Sequence, residues 1–219
     1  MKNKTIPLIR TTSLFLTAFL LFSFNISNVF SAGGPGLVQT GCTSWDLTAD
    51  VGSWTTFENP HPDSCSNPDV WQFMISTGLT QDSATYSIAS YFTPSYYGLN
   101  MWAWTKTEGA LWPVIRYNAS NETYWGISLP HTVEVHPENN QMAIIAWKSP
   151  VSGYVSITGS VVDAHVAGGD GIKWFIDKNS SNLAYGSYGD GGSQDFANGT
   201  NGSNLNSIAV NTNDILYLV

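Results

Sequence analysis

Beyond its N-terminal segment the chain sets apolar side chains at every second position, in short runs cut apart by Gly, Asn, Ser and Pro. A strand sends successive side chains to opposite faces, so this period buries one face of a sheet. No window of useful length after that segment carries apolar residues at i, i+3, i+4 and i+7 without an interrupting Gly or Pro, so helices are not expected. VWQFMIS, Val70 to Ser76, puts Trp71, Phe73 and Ile75 on one face. ATYSIASYF, Ala84 to Phe92, does the same with Tyr86, Ile88 and Phe92. LNMWAWTK alternates Leu99, Met101 and Ala103 against Asn100, Trp102 and Trp104.

Further runs follow at close spacing: PVIRYN from Pro113, TVEVH from Thr132, QMAIIAW ending at Trp147, GYVSITGSVVDA from Gly153, GIKWFIDK and finally DILYLV, Asp214 to Val219. Many short strands between turn residues predict an all-β antiparallel sandwich, jelly-roll-like, as a single domain over 68–219. Residues 32–67 are poorer in periodic signal and read as an N-terminal extension, with an edge strand at Ser53 to Phe57. The last run, ILYLV, reads as a buried final strand or as the cut end of a longer polypeptide with further domains.

Residues 1–31 read as a signal peptide. Lys2, Lys4 and Arg10 precede an apolar run, Leu14 to Phe24, too short for a comfortable membrane span, and Val29-Phe30-Ser31 supplies the small-residue cleavage pattern. The mature chain then has no membrane span and is extracellular, secreted or on the cell surface. An oxidising compartment suits Cys42 and Cys65, the only two cysteines, as a disulfide pinning the extension. Loss of the leader leaves Lys106, Arg116, Lys148, Lys173 and Lys178 against 16 acidic residues, a net charge of −11. Such a chain repels phosphate backbones, which argues against nucleic acid and anionic membrane surfaces as partners.

The stretch VVDAHVAGGDGIKWFID, Val161 to Asp177, holds acids, a histidine and glycines between two apolar runs. Its acids lack the alternating spacing of a calcium loop, and Gly-Asp-Gly suits a reversal of the chain, so it reads as a turn. Asp170, Asp190 and Asp195 in neighbouring Gly-rich loops are the candidates for a structural calcium site. No GxSxG, SxxK, HExxH, P-loop or GxGxxG pattern is present. Glu134 and His136 share a strand face, His131 lying on the other, and are the one arrangement suited to acid–base chemistry in a polysaccharide hydrolase or lyase. The simpler reading of that pair is a solvated strand face.

Nine tryptophans exceed what a core of this size needs. Trp71, Trp147 and Trp174 alternate as core residues do. Trp102, Trp104 and Trp125, beside Asn100, Arg116 and Glu122, fit a sugar-binding surface, where rings stack on C–H faces and polar groups take hydroxyls. Asn118, Asn121, Asn179, Asn198 and Asn201 head Asn-X-Ser/Thr sequons.

The stretch VHPENNQMAIIAWKSPVSGYVSITGSVVDAHVAGGDGIKWFID, followed by LAYG, GGSQDF and NTNDILYLV, resembles β-sandwich modules of exported bacterial proteins that look like carbohydrate-binding modules. The resemblance rests on His136-Pro137, Trp147-x-Ser149-Pro150, Gly153, Ile157-x-Gly159, Gly169-Asp170-Gly171 and Asn213-Asp214-Ile215, and it covers about two-thirds of the mature chain. It implies a secreted, non-catalytic glycan- or polysaccharide-binding or adhesive module, with no cofactor beyond a structural calcium. Alternatives are a polysaccharide-degrading enzyme using Glu134 and His136, or a structural spacer. Such modules continue past their last strand with an Asn- and Asp-bearing segment, which this chain lacks; that departure implies a fragment.

Overall fold

The structure, a computed structural model, describes residues 20–28, 42–165 and 171–219. In chain order its strands are β1 (Leu20–Asn28), β2 (Ser44–Asp46), β3 (Trp71–Ser76), β4 (Tyr86–Ile88), β5 (Tyr91–Thr93), β6 (Met101–Thr105), β7 (Val114–Asn118) and β8 (Val133–His136). They continue with β9 (Ala143–Lys148), β10 (Gly153–Asp163), β11 (Ile172–Lys178), β12 (Ser181–Tyr188), β13 (Ser193–Asp195), β14 (Ile208–Val210) and β15 (Ile215–Leu218). The larger sheet runs β13-β10-β1-β8-β7-β6-β5, with β2 against β1 and β14 against β10; the smaller runs β12-β11-β15-β9-β3-β4. The pairings are antiparallel. The fold is the all-β sandwich that the alternation predicts.

Inward-facing residues meet between the sheets. Trp71, Phe73 and Ile75 of β3, Trp147 of β9, and Ile172, Trp174 and Ile176 of β11 pack in one core with Trp104, Ile115, Val133 and Val155 of the larger sheet. No helix among the described residues is long and apolar enough to cross a membrane.

Three local expectations change. The run Ala84 to Phe92 is two strands: β4 joins the smaller sheet and β5 the larger, with Ala89 fully buried at the crossing. One period-two pattern therefore serves both sheets, which a pattern alone does not distinguish. Ser53 to Phe57 is not a strand; the element nearby is a helix, α1 (Leu47–Gly52), started by the Asp46 carboxylate accepting the Ala49 N–H at 2.9 Å. On β6 the two faces alternate as expected, yet the tryptophan face turns inward, because Phe57, Phe73 and Phe92 offer Trp102 and Trp104 aromatic partners there.

Leu20–Asn28, inside the segment read as a leader, is a central strand. All nine residues pair with β10, and Ile26 is fully buried. The cleavage site itself lies outside the described residues.

Residues 42–67 are sewn into the core. The Trp45 indole N–H donates to Asp63 and that of Trp71 to Asp50, both at 2.7 Å. Burial, the largest cause, raises the Asp50 pKa despite that bond. Cys42 and Cys65 form the expected disulfide across a sequence separation of 23. Replacing both by alanine is expected to cost about 3 kcal/mol, read as a lower urea midpoint with a steeper slope, because the denatured chain without its cross-link is more open. An unchanged midpoint would mean that the Trp45–Asp63 bond already holds the loop.

Candidate functional site

The chemistry lies on the outer face of the larger sheet. Ile115 and Tyr117 point into the sandwich, so their neighbours Val114 and Arg116 point out, as do Glu134 and His136 beside them on β8. Loops fold back over this face. Tyr96, Met101, Ala103 and Val114 form a second buried cluster, with Leu99, Trp112 and Tyr124 packed on it. The Tyr96 hydroxyl donates to the Leu111 carbonyl at 2.6 Å, tying two of these loops together, and burial raises its pKa.

Above this layer is a cavity of about 230 Å³ lined by Tyr97, Trp112, Arg116 and Trp125. Pockets for drug-sized ligands run to roughly 300–1,000 Å³, so this one suits a single small ring. Tyr97 and Trp125 are 53% and 49% exposed, with ring centroids 5.8 Å apart and planes at 83°. The Arg116 guanidinium sits 5.0 Å from the centre of the Trp125 ring. Its Nε donates to Glu134 at 2.6 Å, and the two side chains are 2% and 0% exposed. The floor is thus a buried guanidinium whose charge is already balanced.

Both exposed rings stand on the same local structure. Tyr96-Tyr97-Gly98-Leu99 and Tyr124-Trp125-Gly126-Ile127 are turns closed by the fourth N–H donating to the first carbonyl, each at 3.1 Å. The central φ values are +54° and +74° in the first, +53° and +74° in the second. Positive φ at both central positions is the type I′ pattern, natural for Gly but not for a bulky residue. Each aromatic so placed costs on the order of 1–2 kcal/mol against a right-handed backbone. Neither ring repays that cost in the core. Such outliers gather where a side chain is being presented for a purpose.

Asn118 holds the loop that carries Trp125. Fully buried, its amide donates to the Glu122 and Ser128 carbonyls, while its carbonyl oxygen accepts from Ser120 N–H and Oγ–H. The sequon asparagine is used for folding.

The structure brings Arg116 and Trp125 together as the sequence suggested. Trp104 is 1% exposed, wedged against Phe73 and Phe92, and stacks no ligand; the expectation of a sugar face there is corrected. Trp102 is half-buried on the same inner face against Phe57 and Tyr117. Asn100 is exposed at the strand's entry and donates to the Ala119 carbonyl, and Glu122 is exposed on the Asn118 loop; neither lines the cavity. Tyr97 and Trp112 supply the other walls. A signal for the site was there: the tetrads YYGL and YWGI repeat one pattern of aromatic, aromatic, Gly and aliphatic.

Glu134 and His136 are not on a solvated face, because the aromatic loops cover it. The His136 ring lies 5.4 Å from Trp112, and its Nδ1–H donates to the Pro137 carbonyl at 2.7 Å. Burial holds its pKa down at about 4, the Pro137 bond opposing and the Arg116 charge adding. Between its ordinary 6.5 and that value the unfolded chain takes up a proton that the folded one refuses. Stability therefore falls as pH drops through this window, by about 3 kcal/mol in all, and His136 adds nothing further below it. Asp50 and Asp177, raised by burial, work the other way in acid. The His136→Gln variant isolates the effect: its urea midpoint is expected to lose the wild type's decline between pH 6.5 and 4. An unchanged decline would assign it elsewhere.

Of the calcium candidates, Asp170 lies outside the described residues, and Asp190 and Asp195 are exposed. Among the described residues, the group of three possible ligands is Cys42, Asp63 and Cys65, whose sulfurs are bonded to each other. The Val161–Asp177 turn falls partly outside as well. At its start the Asp163 carboxylate accepts the His165 N–H at 3.0 Å, an Asx bond.

The chain matches no protein-family model, and neither a curated protein nor a solved structure is detectably similar to it.

Proposed function

We propose that the protein is an exported, non-catalytic module that binds one ring of a neutral polysaccharide in the Tyr97–Trp112–Arg116–Trp125 cavity. The observation that carries this reading is the pair of left-handed turns holding two exposed aromatic rings over a buried, charge-balanced arginine. Aromatic walls stack on the C–H faces of a sugar, and guanidinium N–H groups donate to its hydroxyls. Because Glu134 already neutralises Arg116, the site favours hydroxyls over carboxylates or sulfates. A single ring in so small a site implies a Kd of about 1 mM, and tight attachment would come from neighbouring modules. Binding rather than catalysis is supported by Glu134, which is sealed from solvent and bonded to Arg116.

The test is a pull-down against insoluble and soluble polysaccharides, with product release followed in parallel. Retention on a neutral glycan without release of reducing ends or unsaturated sugars supports the reading. Turnover that vanishes in Glu134→Gln would replace it with an enzyme. Silence in both assays would leave a spacer.

A further inference from the structure

β1 fills a slot that the rest of the larger sheet leaves open. One of its edges pairs with β10 along all nine residues; the other pairs with β8 through Leu20–Phe22 and with β2 through Asn25–Ser27. Strands in a sheet lie about 4.8 Å apart, so without β1 the strands β8 and β10 would face each other across a gap of about 10 Å. Both would expose unpaired N–H and C=O groups, and the core would lose Ile26. The same nine residues lie within the segment read as an export leader, whose cleavage after Ser31 or Ala32 takes β1 away.

We propose that the gap between β8 and β10 in the exported protein is a strand-acceptor site, filled by an extended segment of a second polypeptide. The proposal rests on the export reading. The occupant's chemistry follows from β1: its sequence sets Leu20, Phe22, Phe24 and Ile26 against Leu21, Ser23, Asn25 and Ser27, and its backbone runs antiparallel to both neighbours. A donor needs apolar residues at every second position over about nine residues, with backbone bonds giving affinity and alternate side chains giving selectivity. A second chain is the source because, among the described residues, every other strand is already placed in a sheet. Occupancy also bears on the cavity, since Leu21 pairs with Glu134, the residue that holds Arg116.

The test uses the full chain with a specific protease site inserted between Asn28 and Cys42, folded and then cut. A labelled peptide of the Leu20–Asn28 sequence with lysine flanks is expected to exchange into the cut protein at one per chain. A shuffled peptide that breaks the alternation is expected not to. Amide exchange along Val155–Val161 should quicken at least about tenfold when the slot is emptied and slow again with peptide. Release of Leu20–Asn28 with β8 and β10 still protected would overturn the proposal, as would a dimer of cut chains that excludes the peptide. The mass of the exported protein reports separately on the leader: residues 20–28 retained would sink the reading of a cleaved leader, and with it the open slot, whatever the peptide does.

Discussion

Replacing Glu134 with leucine is expected to lower stability by about 3–5 kcal/mol, the largest loss for any single change to a charged residue on the outer face. The reason is Arg116, 2% exposed, whose charge would stay buried with its carboxylate partner gone. The double variant Arg116→Met, Glu134→Leu removes both charges and keeps the volume. It is expected to return to within about 1 kcal/mol of wild type, or to exceed it, since a buried pair is repaid only in part for its lost hydration. Urea unfolding of the four proteins in this cycle measures the coupling. A harmless single variant would mean that the guanidinium reaches water through the cavity. The double variant should also fail to bind sugar, because the floor has lost its donors.

Trp125→Gly is expected to separate function from stability. Removing the ring takes away a stacking wall worth roughly 2 kcal/mol, about a thirtyfold rise in Kd. The backbone, at φ +53°, is easier for glycine than for tryptophan, so the folded state should hold its stability or gain about 1 kcal/mol. Tyr97→Gly at φ +54° should behave alike. Trp104→Ala, by contrast, empties a core position and is expected to cost about 3–5 kcal/mol. Calorimetric titration with the glycan found in the pull-down, beside thermal melts, reads both effects. Lost stability in Trp125→Gly with unchanged binding would make the ring a cover for the second cluster and nothing more.

How far the sequence led differs by feature. The sandwich was legible because alternation reports burial of one strand face directly, as at Trp71, Phe73 and Ile75. Which face is inward was not, and Trp102 and Trp104 show why. A strand covered by a sheet on one side and by loops on the other is apolar on both, so alternation loses its sign. Loop cover also hid the setting of Glu134 and His136, which read as solvated because strand alternation says nothing of the aromatic loops 96–99 and 124–127 that fold over them. The helix at Leu47–Gly52 is too short to show a period. The cavity was half legible: Arg116 and Trp125 stood out by residue type, whereas Tyr97 needed the YYGL and YWGI repeat to be read as paired turns.

One tryptophan pair, Trp112 and Trp125, is expected to meet the ligand while the buried ones do not. Indole N–H signals in a two-dimensional ¹⁵N spectrum give each of the nine tryptophans its own probe. On titration with a neutral polysaccharide, the signals of Trp112 and Trp125 should shift together, and those of Trp45, Trp71, Trp104, Trp147 and Trp174 should stay in place. Shifts confined to Trp102 or Trp54, or none across a panel of glycans that the protein retains, would contradict it.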